Sequence, residues 1–175
     1  MKTTDYLKEV QGIVEELEKL HFKPILVGGM ALVILGSQRV TQDFDFLISH
    51  PGDKLETLVE VFYRRGMQLA SRVSKVGEII GTIDSQRVAA IRLRIDAPSS
   101  VYFFNPKTGL RIDLLFDFPM TAKKLEENAR KMKIDSSTFY IASEEDLLQL
   151  KEMAASARNS PSDLQDLDFL KKRKK

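Results

Sequence analysis

Hydrophobic residues recur at helical spacing from the start of the chain, with Leu7, Val10, Ile13, Val14 and Leu17 on one face of residues 4–20. The spacing predicts an amphipathic helix packed on a core. Pro24 ends that pattern. "PILVGG" reads as a short buried strand that stops at a glycine pair, and "MALVILG" as a short apolar helix that stops at Gly36. In "DFDFLI" the period changes to two. Asp43, Asp45 and Leu47 share one face of the strand, and Phe44, Phe46 and Ile48 share the other. The phenyl groups anchor the strand and the carboxylates project.

Pro51 and Gly52 predict a turn, after which residues 53–66 read as a helix capped by Asp53 and ended by Gly66. Residues 67–104 divide less clearly. "RVAAIRLRID" alternates Ile91, Leu93 and Ile95 with Arg92, Arg94 and Asp96, which predicts a half-buried strand with "SVYFF" as the next. Its two arginines face either an acceptor groove or solvent. "NPKTG" is a turn before "LRIDLLFD", which places Arg111, Asp113 and Asp117 opposite Leu110, Ile112, Leu114 and Phe116. Asp113 is therefore a third strand-borne carboxylate, and Asp117 reads as a strand-end charge or else as a fourth acidic residue at the site. From Pro119 the pattern is helical to about Lys133, followed by the strand-like "TFYIA". Ser143 and Asp146 occupy capping-box positions at the start of the next helix, and a final helix follows Pro161. The terminal "KKRKK" reads as a solvated or frayed end.

At 175 residues the chain is long enough for one compact domain, read as a core over 1–118 with a C-terminal helical segment over 119–175 packed on it. The 27 Lys+Arg nearly balance the 25 Asp+Glu, so overall charge does not announce a nucleic-acid binder. Cysteine is absent. That excludes disulfides, thiolate metal sites and a cysteine nucleophile, and leaves oxygen ligands as the main means of holding a metal. The charged amphipathic N-terminus has no apolar core of a signal peptide. The longest apolar stretch, Pro24 to Leu35, is interrupted by Gly28 and Gly29 and is too short for a bilayer. A cytoplasmic protein with no membrane partner is expected. His21 and His50 lie beside turns without metal-ligand spacing.

An Asp-x-Asp pair on one strand face suits Mg²⁺, which binds through one or two carboxylates together with substrate phosphates. Asp43 and Asp45 are the expected ligands, with Asp113 as the third and as a candidate base for an incoming hydroxyl. Gly28 and Gly29 permit close backbone approach, and the helix start after them offers N–H groups to a triphosphate. Neither signal is specific alone.

Joined by a spacer from Met30 to Gln42, "VGG" and "DFDF" resemble the signature of the nucleotidyltransferase superfamily that shares the DNA polymerase β catalytic fold. The resemblance is closest to the AbiEii-like branch, which includes toxins of toxin–antitoxin systems. "GGMALVILGSQRVTQDFDF" is similar to that branch's opening block and "SEEDLLQLKEMAASARNSPSDLQDLDFL" to its later one, together about a quarter of the chain. The resemblance implies an α/β fold with a mixed sheet flanked by helices and a C-terminal helical segment. It implies transfer of a nucleoside monophosphate from an NTP, ATP among the candidates, with Mg²⁺ or Mn²⁺. The acceptor hydroxyl is that of a tRNA or other RNA, a protein side chain or a small molecule. By position, Lys151 is implied to contact nucleotide, Asp163 and Asp166 to match the family's acidic pair, Arg39 to meet a phosphate and Thr41 to support the metal strand. Ser162 stands where the family often carries a basic residue. An antitoxin or toxin partner is implied, and two alternatives stay open: an antitoxin-like enzyme that nucleotidylates its partner toxin, and a non-catalytic nucleotide-binding module.

Overall fold

A computed structural model describes residues 3–38, 41–158 and 160–174. The chain opens with α1 (Thr3–Lys19), β1 (Ile25–Val27) and α2 (Gly28–Ile34), followed by β2 (Asp43–Ile48) and α3 (Leu55–Arg64). The hairpin β3 (Gln68–Val73) and β4 (Ile79–Ile83) precedes α4 (Gln86–Asp96), β5 (Ser100–Phe104) and β6 (Arg111–Phe116). Then come α5 (Ala122–Glu126), a second hairpin of β7 (Arg130–Ile134) and β8 (Ser137–Ile141), α6 (Glu144–Arg158) and α7 (Pro161–Lys174).

The strands form one mixed sheet in the order β4-β3-β5-β6-β2-β1-β8-β7. Its centre carries the two parallel pairings, β2 with β6 and β1 with β8. Because partners in register point to the same side, Phe46, Leu26 and Leu114 lie on one face of the sheet. Phe62 of α3 stacks on Phe103 with ring centroids 4.0 Å apart, so α3 covers this face, and α1 packs beside it through Val10, Ile13 and Leu17. The opposite face carries Val27, Asp45 and Asp113 and is roofed by α6. Driving the phenylalanines into the first layer aims the carboxylates into the second. No helix among the described residues is long and apolar enough to cross a membrane.

The structure corrects three local expectations. Residues 86–96 are helical: Ser85 caps α4 by accepting a hydrogen bond from the Val88 N–H, and Ala89 and Leu93, four apart, are its buried positions. Ile91 and Ile95, whose alternation suggested a strand, are exposed. Arg92 pairs with Asp96, and Arg94 forks Glu56, so neither lines a groove beside the carboxylates. Asp53 does not cap α3, which is entered through a 3-10 turn at Gly52–Lys54 without a side-chain cap. The helix expected from 119 to 133 is only the short α5, capped by Thr121. Residues 130–134 instead pair with β8 around a two-residue turn in which Asp135 takes φ +54°. At the C-terminal end the solvated alternative holds: α7 continues to Lys174, and residues 171–174 are exposed on an intact helix. At the start of α6 the capping position holds, with the Asp146 N–H donating to Ser143 Oγ at 3.1 Å.

Candidate active site

Asp43 and Asp45 leave β2 on its cleft face, and Asp113 stands directly across the parallel pairing from Asp45. Three carboxylates on neighbouring strands repel one another, and the floor of the cleft withdraws two of them from bulk water. The Asp45 carboxyl is consequently pushed up to about 8, by loss of hydration first and then by the charge and hydrogen bond of Asp113, with the charge of Asp43 adding and that of Lys151 opposing. Loss of hydration raises Asp113 too, against the opposing pull of Arg111. The pair thus shares a proton near neutrality.

Gly28 closes the other side of Asp45. Its φ of +72° lies in the left-handed region, and a Cβ there would run into the Asp45 carboxylate at Oδ2. Both the backbone turn and the carboxylate demand glycine. Gly28→Ala is expected to lower stability by about 3 kcal/mol and to displace Asp45, reducing activity with it. Urea denaturation beside a transfer assay would check this, and a variant of unchanged midpoint would refute it. Gly29 is buried in the first turn of α2.

The arginine two residues before Asp113 was visible on the carboxylate face but had no assigned role. Arg111 Nε and Nη2 donate to the two Asp113 oxygens at 2.8 and 3.1 Å, a forked ion pair of low exposure. Among the described residues no three acidic or imidazole groups are gathered closely enough to hold an ion, and this fork engages one of the three carboxylates. The donor chemistry nevertheless fits a hard divalent cation. It consists of oxygens alone, and the proton held between Asp45 and Asp113 is what such an ion replaces.

Across the cleft, Lys151 of α6 lines the same cavity as Asp45 and Asp113. Its Nζ is held by α7, at 3.2 Å from Asp163 Oδ1 and 2.8 Å from Asp166 Oδ2. Ser160, just before α7, receives the Asp163 N–H and donates to Asp163 Oδ2, which fixes that carboxylate. With exposures of 1% and 0%, Asp163 and Asp166 are buried behind Lys151 and do not line the cavity. The cavity has a volume of about 380 Å³. Its apolar lobe is made by Phe118, Pro119, Leu147, Leu150 and Met153, a feature with no sequence signal because it joins the loop after β6 to α6.

Thr41 Oγ1 lies 3.4 Å from the Asp43 N–H, at the foot of β2. Arg39 lies outside the described residues. Asp117 is engaged elsewhere, accepting from the His50 and Ala122 N–H groups.

A mixed sheet with this acidic strand pair beside a glycine turn is the arrangement expected of a nucleotidyltransferase. The sequence profile of the family described as nucleotidyl transferase AbiEii toxin, of type IV toxin–antitoxin systems, matches residues 10–174, and the chain belongs to that family. Three solved structures share the fold. A lincosamide antibiotic adenylyltransferase, LnuA, bound to lincomycin is 14% identical with a TM-score of 0.57, covering 94% of this chain and 95% of its own. An antigenic nucleotidyltransferase-like protein from Paracoccidioides brasiliensis is 16% identical with a TM-score of 0.59, covering 95% and 75%. The antibiotic-resistance factor ANT(2'')-Ia is 12% identical with a TM-score of 0.56, covering 97% and 83%. No curated protein matches the chain by sequence.

Proposed function

We propose that the chain transfers a nucleoside monophosphate from an NTP to a hydroxyl group, with Mg²⁺ or Mn²⁺ held by Asp43, Asp45 and Asp113, and that it acts as the toxin of its system. The observation that carries this reading is the in-register pairing of Asp45 with Asp113 on the floor of a cleft whose far wall presents Lys151. A bound divalent cation would supply charge neutralisation for the triphosphate and for the departing pyrophosphate. The chain's own groups do the positioning. The apolar lobe seats the nucleobase. Gly28 and Gly29 let the phosphates approach the backbone, and Lys151 places an ammonium beside them. Arg39 and Thr41 are assigned to the phosphate and to support of the metal strand by resemblance.

The acceptor oxygen attacks the α-phosphorus, the bond from that phosphorus to the pyrophosphate oxygen breaks, and the hydroxyl proton passes to a carboxylate, for which Asp113 is the candidate. Asp163 and Asp166 act through Lys151. Membership of a toxin family favours the toxin role over the antitoxin-like one and implies an antitoxin counterpart.

Label transfer tests the reading. Each α-labelled NTP is offered with Mg²⁺ or Mn²⁺ and a panel of pooled tRNA, cell protein and small hydroxylated molecules. Label on an acceptor, lost in Asp43→Ala and Asp45→Ala, is the expected result. Metal-dependent NTP binding without transfer to any acceptor would move the protein to the non-catalytic reading.

The shared proton adds a pH dependence. Because the Asp45 carboxyl is raised, a proton competes with the ion below about pH 8. Apparent Mn²⁺ affinity is expected to climb by up to about tenfold per pH unit toward that value and to level off above it. Calorimetric titrations across pH would read this directly, and a flat profile would contradict it.

A further inference from the structure

Arg111 makes a third contact that neither the fold nor the proposed chemistry requires. While Nε and Nη2 hold Asp113, Nη1 donates to the Gly77 carbonyl at 2.6 Å. The guanidinium also lies over the Tyr102 ring, 4.9 Å from its centroid, so it is held from three sides. Gly77 is 34 residues upstream, at the tip of the β3–β4 hairpin. That tip is a defined turn: the Gly77 N–H reaches the Ser74 carbonyl, and the Glu78 N–H reaches Ser74 Oγ.

The course of β3 explains how so distant a turn arrives here. β3 pairs with β5 only at Gln68 and Leu69, and its pairing with β4 then shifts register twice between Ala70 and Val73. Such irregularities bend a strand pair out of its sheet. Beyond Leu69 the hairpin is no longer paired with β5, and its tip ends against the arginine beside the carboxylates.

We propose that Arg111 is a positioning residue that couples the β3–β4 hairpin to the carboxylate cluster, so that a cation at Asp113 and the hairpin tip compete for the state of this one guanidinium. The inference rests on the metal reading given above. While the fork is closed, both Asp113 oxygens are engaged and the tip is tethered. When Asp113 turns to a cation, the fork opens and the Gly77 contact loses the geometry that supports it. Coupling of this kind is reciprocal: whatever loosens the tether favours cation binding, and cation binding loosens the tip.

The test uses Mn²⁺ alone, without nucleotide, read by the loss of the free-ion paramagnetic resonance signal. It compares the full chain with Arg111→Gln and Arg111→Lys, and with Asp45→Ala as the site control. Both Arg111 variants are expected to bind Mn²⁺ about fivefold or more tightly than the parent. The lysine variant keeps the charge and loses the fork. Tightening in the glutamine variant alone would therefore show a charge effect and overturn the inference, as would unchanged or weaker binding in both. A second arm needs no variant. Hydrogen exchange of amides 74–78 in the parent chain is expected to quicken on adding Mn²⁺, and exchange that stays constant at saturation overturns the coupling. Binding that survives in Asp45→Ala, or that is absent from every protein, overturns the metal reading together with this inference. Binding lost in Asp45→Ala but indifferent to Arg111 overturns the inference alone.

Discussion

In Asp45→Asn, kcat/KM for nucleotidyl transfer is expected to fall by about 10³-fold while the folded chain becomes more stable. The loss follows from replacing a carboxyl that can give up its proton to a cation with an amide that cannot become charged, at the centre of the proposed ligand set and directly opposite Asp113. The gain follows from linkage. The folded carboxyl titrates at about 8 against an ordinary 3.8, so between those values the folded state keeps a proton that the unfolded chain has released. Stability contributed in acid is therefore lost as pH rises toward about 8. Asparagine has no proton to release and avoids that loss, so its advantage grows over the same range. A melting temperature higher by about 3 °C near pH 8 is expected, a modest figure because the proton is shared with Asp113. Activity assays beside thermal melts at several pH values check both halves. A variant that keeps parental turnover would remove Asp45 from the site.

Lys151→Met is expected to cost about 3 kcal/mol of stability and most of the activity. The ammonium meets two carboxylates that are buried at 1% and 0% exposure, and withdrawing it leaves both without this cation in a medium that solvates charge poorly. The docking of α7 on α6 weakens with it, and the ammonium that faces Asp45 is lost. Pairing the change with Asp166→Asn should restore part of the stability and none of the activity, since Asp166 does not reach the cleft. Urea titrations of the single and double variants measure this. A single-variant loss under about 1 kcal/mol would mean that Lys151 is not the anchor of the acidic pair.

What could be read from the residues was what is local in sequence. Asp43 and Asp45 were legible because a period of two sorts a strand's side chains without reference to anything distant, and the phenylalanines between them have only the core to enter. Gly28 was legible as a turn, but its need to stay bare comes from Asp45 Oδ2, on a neighbouring strand. Asp113 was legible as a projecting carboxylate; that it faces Asp45 depends on β2 pairing in parallel with β6, which no local pattern specifies.

The misreading of α4 has the same root. Ile91, Leu93 and Ile95 alternate like a strand, whereas the helix is decided by the Ser85 cap and by Ala89 and Leu93 packing while the two isoleucines stay in water. Arg111 could be placed on a face, but its reach to Gly77 depends on a bend in β3 caused by register shifts far from it. The acidic pair on α7 could be matched to a family pattern. Its burial behind Lys151 required the fold.

The most direct test of the central claim is which phosphorus moves. With one acceptor that takes label, α-labelled and γ-labelled NTP are compared side by side. The expected result is α-label on the acceptor in equal proportion to γ-label released as pyrophosphate, with both signals lost in Asp45→Asn. γ-Label on the acceptor would mean that the terminal phosphoryl group is the one transferred, and would contradict nucleotidyl transfer at Asp43, Asp45 and Asp113.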